Sequence, residues 1–169
     1  MIENLYKFIL YISSVLFLSS CGFYSFNGAS ISQDIETVSV QYFPNRAKTI
    51  VPSLSQVFTE KLKDYILEQS SLELETVTGD IDFSGEIIKY EIKPMAIQAN
   101  EQAAQNRLTI TIRLIYTNNK DITKNFEKDF SRYSDYMSNQ SLNDIEDSLI
   151  EQITSELSED IFNKAFVNW

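Results

Sequence analysis

The sequence contains no histidine. That removes a Ser-His-Asp triad, a histidine general base and any His-ligated metal. Cys21 is the only cysteine, so neither an intramolecular disulfide nor a multi-cysteine metal site can form. Glycine and proline are scarce, at 4 and 3 residues. No Gly-rich phosphate loop and no Gly-x-Ser-x-Gly nucleophile motif is present. Asp80-Ile81-Asp82 is too sparse for a calcium loop. Cations are outnumbered: 14 Lys+Arg stand against 24 Asp+Glu, a net charge of −10. Without a broad cationic field to displace counterions, nucleic acid is not expected as a partner. Apolar runs are short as well. The longest, Phe8–Leu18, falls well below the roughly 20 residues a membrane-spanning helix needs.

What is present is globular composition: 43% apolar residues, with 9 Tyr and 11 Phe in 169 residues. This length fits one domain with a targeting segment. Residues 1–20 read as that segment. A short polar start with Lys7 leads into the Phe8–Leu18 run, the length of a secretory h-region. Leu18-Ser19-Ser20-Cys21 then matches a bacterial lipoprotein box. Small residues before the cysteine let a peptidase close on the backbone, and the Cys21 thiol takes the diacylglycerol. That the chain's sole cysteine stands there makes the match specific. The alternatives are an ordinary signal peptide and an uncleaved anchor. Several acyl chains, at about 0.8 kcal/mol per buried CH₂, would hold the protein firmly on a membrane. The expected organisation is a signal over 1–20, a lipidated tether over 21–35 and one domain over 36–169. Export removes the nucleotide pool, and with it kinases and ATPases. No acidic residue follows in Gly22-Phe23-Tyr24-Ser25, which favours the outer membrane with the domain in the periplasm.

Along the domain, periodicity gives the elements. Thr37–Tyr42 alternates, with Val38, Val40 and Tyr42 on one face, and Pro44 ends it. Ser53-Leu54-Ser55-Gln56 has a capping-box pattern and opens a helix predicted over 52–69. Leu72–Val77 alternates again. Ile81–Ile97 is long and extended, and its apolar parity switches at Ile87-Ile88, which predicts a β-bulge near Gly85. Pro94 belongs on an edge or at a bend, and Asn100–Gln105 at a polar turn. Leu108, Ile110, Ile112, Leu114 and Tyr116 form one strand face, opposed by Arg107, Thr109, Thr111 and Arg113. After a turn at Asn118–Asp121, Thr123–Tyr133 is read as strand, although Phe126, Phe130 and Tyr133 also fit helical spacing. Leu142, Ile145, Leu149, Ile153, Leu157, Ile161 and Ala165 mark a last helix beginning at Ser141. The expected fold class is α+β in two layers, with two helices on one face of a mainly antiparallel or mixed sheet of four to five strands.

Chemistry is sparse. Carboxylates are abundant: Asp80 and Asp82 flank Ile81 on one strand face, and Glu146-Asp147 and Glu159-Asp160 lie on the polar side of the last helix; a solvated polar face is the plainer reading. No catalytic residue, metal site or cofactor is expected. The cations stand out because they are few. Arg107 and Arg113 oppose the apolar strand face, Lys120 lies in the turn, and Lys124, Lys128 and Arg132 share parity with Phe126 and Phe130. Alternating cations and rings suit an amphiphile carrying phosphates. The competing reading is that they neutralise Glu127, Asp129 and Asp135 across the sheet. Tyr24, Phe26, Tyr42, Phe43, Tyr133, Tyr136 and Trp169 are more aromatics than one small core readily hides, and some are candidates for a protein-binding patch.

The order of these features has a counterpart. Cys21-Gly22-Phe23-Tyr24-Ser25-Phe26, the strand ending Val40-Gln41-Tyr42-Phe43-Pro44-Asn45, the helix Leu54-Ser55-Gln56-Val57-Phe58-Thr59-Glu60-Lys61-Leu62 and Phe83-Ser84-Gly85-Glu86-Ile87 with Tyr90 together resemble the LptE family of lipopolysaccharide-assembly lipoproteins, particularly its Bacteroidetes branch. The resemblance implies two helices on a four-stranded sheet and an outer-membrane lipoprotein that is not an enzyme. It implies a plug inside the large β-barrel LptD, help in folding that barrel, and lipopolysaccharide as ligand. The candidate lipopolysaccharide contacts are Arg107, Arg113, Lys120, Lys124, Lys128 and Arg132. Two other classes stay open: a non-catalytic scaffold lipoprotein of another envelope complex, and a periplasmic hydrolase working through Asp80 and Asp82.

Overall fold

The computed structural model describes residues 31–95 and 104–167. The signal segment, Cys21, Tyr24, Phe26, Trp169 and most of the Asn100–Gln105 turn lie outside them. Elements follow in the order β1 (Thr37–Val40), α1 (Leu54–Gln69), β2 (Glu73–Leu74), β3 (Ile81–Met95), β4 (Gln105–Asn118), a 3₁₀ turn (Ile122–Lys124), β5 (Phe126–Met137) and α2 (Leu142–Phe166). The five strands form one mixed sheet in the order β2-β1-β3-β4-β5. β1 pairs in parallel with β2 and β3, while β3-β4-β5 is an antiparallel meander. The fold is α+β, as the periodicity implies.

β4 lies between β3 and β5. Leu108, Ile110, Ile112 and Leu114 are wholly buried on its helix side. On the other side Arg107, Thr109, Arg113 and Thr117 are half-buried and Ile115 is exposed. Strict alternation on a strand puts alternate side chains on opposite faces, so one face can be packed and the other left to water. The helices close the packed face. Phe58, Leu62 and Ile66 of α1, and Ile153, Leu157 and Ile161 of α2, repeat at three- and four-residue spacing and are buried to 5% or less. Tyr65 meets Phe162 edge-on at 5.6 Å, and Lys61 reaches Glu151 at 2.8 Å across the helix pair. Ser55 and Thr59 of α1 and Thr154 and Ser158 of α2 are buried as well. Thr59, Thr154 and Ser158 return their hydroxyls to carbonyls one turn back. No buried side-chain polar atom lacks a partner among the described residues.

Three local expectations are corrected. Tyr42 does not continue the Val38/Val40 face: it is 61% exposed, and Phe43 is wholly buried in its place. β1 stops at Val40, and the Phe43 N–H turns inward to the Thr59 hydroxyl at 3.1 Å. Ser53 makes no side-chain cap; its carbonyl accepts from the Val57 N–H at 3.0 Å, and α1 begins at Leu54 rather than 52. The Leu72–Val77 alternation gives only the two-residue strand β2. Its partner β1 is itself four residues long, and only Leu72 of the run reaches the core.

The parity switch at Ile87-Ile88 is real. The β3–β4 register shifts between Ile87 and Lys89, leaving Ile88 as the extra residue of a bulge. Gly85, three residues earlier, has another role. Its φ of +149° is open to glycine alone, and a Cβ there would lie 2.0 Å from the Arg113 carbonyl oxygen and 2.9 Å from the Phe43 ring. β3 and β4 close over this point, and Phe43 packs onto it.

Candidate functional site

The open face of the sheet carries the polar side chains that the strand pattern implies. Register aligns them in rows. Glu86, Arg113 and Asp129 form one row, Lys89, Thr111 and Ser131 the next, then Glu91, Thr109 and Tyr133, then Lys93, Arg107 and Asp135. Directly opposed side chains on one face lie close enough to pair. Arg107 holds Asp135 through Nε and Nη2 at 2.7 and 2.8 Å, and its guanidinium lies 3.6 Å from the centre of the Tyr133 ring. Arg113 reaches Asp129 at 3.1 Å, Glu127 at 3.6 Å and Glu86 at 3.9 Å. Arg107 holds the Asp135 carboxyl below its ordinary range, and Asp135 raises the guanidinium in turn. The two arginines thus each pair with carboxylates of β5: Arg107 with Asp135, and Arg113 with Asp129 and Glu127.

The other four candidate cations do not join them. Arg132 lies on the helix side of β5 and forks onto Asp160 of α2, both contacts at 2.6 Å. Lys128, on the same side, stands over the Phe130 ring at 5.1 Å and has no carboxylate within 4 Å among the described residues. Lys120 and Lys124 sit at the β4–β5 turn, 3.0 Å from Asp80 and 3.8 Å from Asp121. The structure therefore divides the six cations among the open face, the β5–α2 side and one end of the sheet.

Asp80 and Asp82 are committed to structure. The Asp80 carboxylate accepts the backbone N–H of Glu36 at 2.9 Å and of Thr37 at 3.2 Å, and pairs with Lys120. These contacts, the Glu36 amide foremost, hold its pKa down to about 2. Asp82 accepts from Ser39, from the Gly79 N–H at 3.0 Å and from the Asn119 amide at 2.7 Å. Both carboxylates tie the turn before β3 to β1 and to the β4–β5 turn. No group of three metal-ligating side chains occurs among the described residues.

Of the aromatics, Phe43 and Tyr136 are buried, Tyr42 is 61% exposed, and the half-exposed Tyr133 lies under Arg107. Sequence reasoning missed a second group of cations. In the β1–α1 connection, Lys48 comes beside Lys89 of β3, and the Arg46 N–H bonds to the Ile87 carbonyl of the same strand. The shared parity of Lys89 and Lys93 was legible in the extended Ile81–Ile97 pattern; their meeting with a loop forty residues upstream was not.

A mixed five-stranded sheet with both helices packed on one face and a polar open face defines an open, two-layer α+β domain. The sequence profile of the LptE family, described as lipopolysaccharide-assembly, matches residues 35–165, and the chain belongs to that family. No curated protein matches its sequence closely enough to count as a relative. Among solved structures, a minor lipoprotein from Acinetobacter baumannii is similar at 15% identity, with 77% of this chain and 91% of that chain covered and a TM-score of 0.50. The rare lipoprotein B from Shewanella oneidensis is similar at 11% identity over 76% and 92%, with a TM-score of 0.45. At such identities the first likeness concerns the fold alone, and the second carries no argument.

Proposed function

We propose that this protein is an outer-membrane lipoprotein, anchored through lipid on Cys21 after removal of residues 1–20, with residues 21–35 as tether and its domain facing the periplasm. It plugs and helps assemble an LptD-like β-barrel and assists delivery of lipopolysaccharide to the outer leaflet. It is not an enzyme and uses no cofactor. The observation that carries this reading is the family match across residues 35–165. The lipoprotein box supports the anchor. No helix among the described residues is long and apolar enough to cross a membrane.

Lipopolysaccharide meets the protein through Arg107, Arg113, Lys120, Lys124, Lys128 and Arg132. Apart from Lys128, each faces a carboxylate in a solvent-accessible pair. Such pairs contribute only about 0–1 kcal/mol, so a phosphate can exchange with the carboxylate at small cost. The arrangement on two faces and one end suits separate phosphates better than one enclosed ligand.

The test is affinity purification of the tagged lipoprotein from detergent-solubilised outer membrane, with partners identified by mass. A one-to-one complex with an LptD-sized barrel is expected. A monomer, or a complex with unrelated envelope proteins, would overturn the plug reading and leave a scaffold lipoprotein of another complex. Charge reversal at Lys124, Lys128 and Arg132 should lower lipopolysaccharide binding while the barrel still co-purifies. Unchanged binding would remove these three from the contact set.

A further inference from the structure

β3 is longer than its neighbour β1. Up to Ile87 it is paired on the β1 side: the Ile87 N–H donates to the Pro44 carbonyl at 3.0 Å, and its own carbonyl accepts from the Arg46 N–H at 2.8 Å. Beyond Ile87 no backbone hydrogen bond reaches β3 from that side among the described residues. The bulge at Ile88 resets the alternation. Lys89, Glu91 and Lys93 stand opposite Thr111, Thr109 and Arg107 on the open face, and Tyr90, Ile92 and Pro94 carry their backbone groups on the free side. Pro94 has no N–H, and there it interrupts nothing in the β3–β4 ladder. The free edge borders a groove of about 480 Å³, walled by Lys48 and Thr49 and floored by Ile88, Tyr90 and Ile92.

An unpaired edge is a template for another strand, and proteins ordinarily cover or blunt it. Among the described residues this one is left open, and it is basic in an acidic chain. Lys48 and Lys89 line the groove, Arg46 and Lys93 stand at positions flanking it in sequence, and Glu91, the one carboxylate in its lining, is shared by Lys89 and Lys93 at 3.2 and 3.0 Å. Arg46 and Lys48 have no carboxylate within 4 Å among the described residues.

We propose that the edge from Ile88 to Lys93 takes an extended segment of a partner protein by strand addition. Main-chain hydrogen bonds supply affinity, and alternate side chains supply specificity. The register defines the segment. Opposite Lys89 and Lys93 it carries carboxylates, opposite Glu91 a hydroxyl, and opposite Tyr90 and Ile92 apolar side chains, giving the pattern acid-apolar-hydroxyl-apolar-acid. A lipid phosphate would use the lysines and leave the backbone donors unmet, so the linear edge favours a peptide. β5 of a second copy is a poorer fit, because its Asp129 and Asp135 are already held by Arg113 and Arg107. The inference goes beyond the lipopolysaccharide-assembly reading and does not depend on it.

The full-length protein in detergent is titrated against a labelled peptide with the core Glu-Val-Thr-Val-Glu, followed by fluorescence anisotropy and by amide shifts at Ile88–Lys93. Three controls accompany it: the same peptide with Lys for Glu, the peptide N-methylated at both valines, and the exposed-site variant Lys48→Glu/Lys93→Glu, whose folding is checked by circular dichroism. Saturable binding is expected, weakened at least about tenfold in each control, or about 1.4 kcal/mol. Equal binding of the methylated or charge-swapped peptide would overturn the proposal, as would no binding at all. Anionic phospholipid vesicles that bind in a Lys48- and Lys93-dependent way while the peptide does not would assign the cluster to a membrane surface instead. Concentration-dependent self-association lost in the same variant, again without peptide binding, would assign it to a second copy.

Discussion

Replacing Gly85 by alanine tests the way the sheet and the β1–α1 connection close on each other. The residue has φ of +149°, and holding a side chain in such a region costs about 1–3 kcal/mol. The added Cβ would sit 2.0 Å from the Arg113 carbonyl oxygen, where ordinary contact begins near 3.4 Å. Relieving that overlap means moving β3 off β4 by more than an ångström. At least one ladder hydrogen bond is lost, about 1 kcal/mol more. The expected loss is about 2–4 kcal/mol, a large share of the roughly 5–15 kcal/mol that holds a domain folded. Urea unfolding followed by far-UV circular dichroism should show a lower midpoint at unchanged slope. Phe43→Ala, which empties a wholly buried site, should cost about 3–5 kcal/mol by itself. In the double variant the losses should nearly add, because the nearest obstacle to the Cβ is a backbone carbonyl and not the Phe43 ring. A Gly85→Ala loss under about 1 kcal/mol, or its rescue by Phe43→Ala, would refute the reasoning.

Thr59→Val keeps the shape of α1 but leaves the buried Phe43 N–H without an acceptor; a loss of about 1–3 kcal/mol in urea unfolding is expected. Tyr90→Phe removes the 2.5 Å bond from the Tyr90 hydroxyl to Glu146 that ties β3 to α2, at about 1–2 kcal/mol, with no change in the slope of unfolding. Asp80 titrates at about 2 in the folded protein against an ordinary value of 3.8. Its contribution is therefore present above about pH 4 and disappears as pH falls through about 2. Unfolding midpoints measured from pH 5 to 2 should fall less steeply in Asp80→Asn than in the parent protein.

Much of the fold was legible because it rests on periodicity. The five apolar residues of β4 and the Leu149/Ile153/Leu157/Ile161 stripe of α2 alternate with polar residues at the spacing of a strand and a helix, and burial of one face follows. The bulge was legible for the same reason, since an extra residue must switch the parity of what comes after it. Signals that depend on distant partners were not legible. Tyr42 and Phe43 are both aromatic, and only the Thr59 hydroxyl waiting on α1 decides that Phe43 turns inward. Local alternation after Leu72 promised a strand, but a strand forms only as far as a neighbour offers backbone groups, and β1 offers few. The candidate site divides in the same way. Sequence alone put Arg107 and Arg113 on the polar face with Asp129 and Asp135 as partners, because strand parity determines a face. That Arg132 belongs to Asp160 of α2, that Asp80 ties down two backbone amides, and that Lys48 meets Lys89 at the edge of β3 were decided by the tertiary structure. A charge pairs with whatever the fold brings within a few ångströms, and periodicity carries no record of distances across the chain.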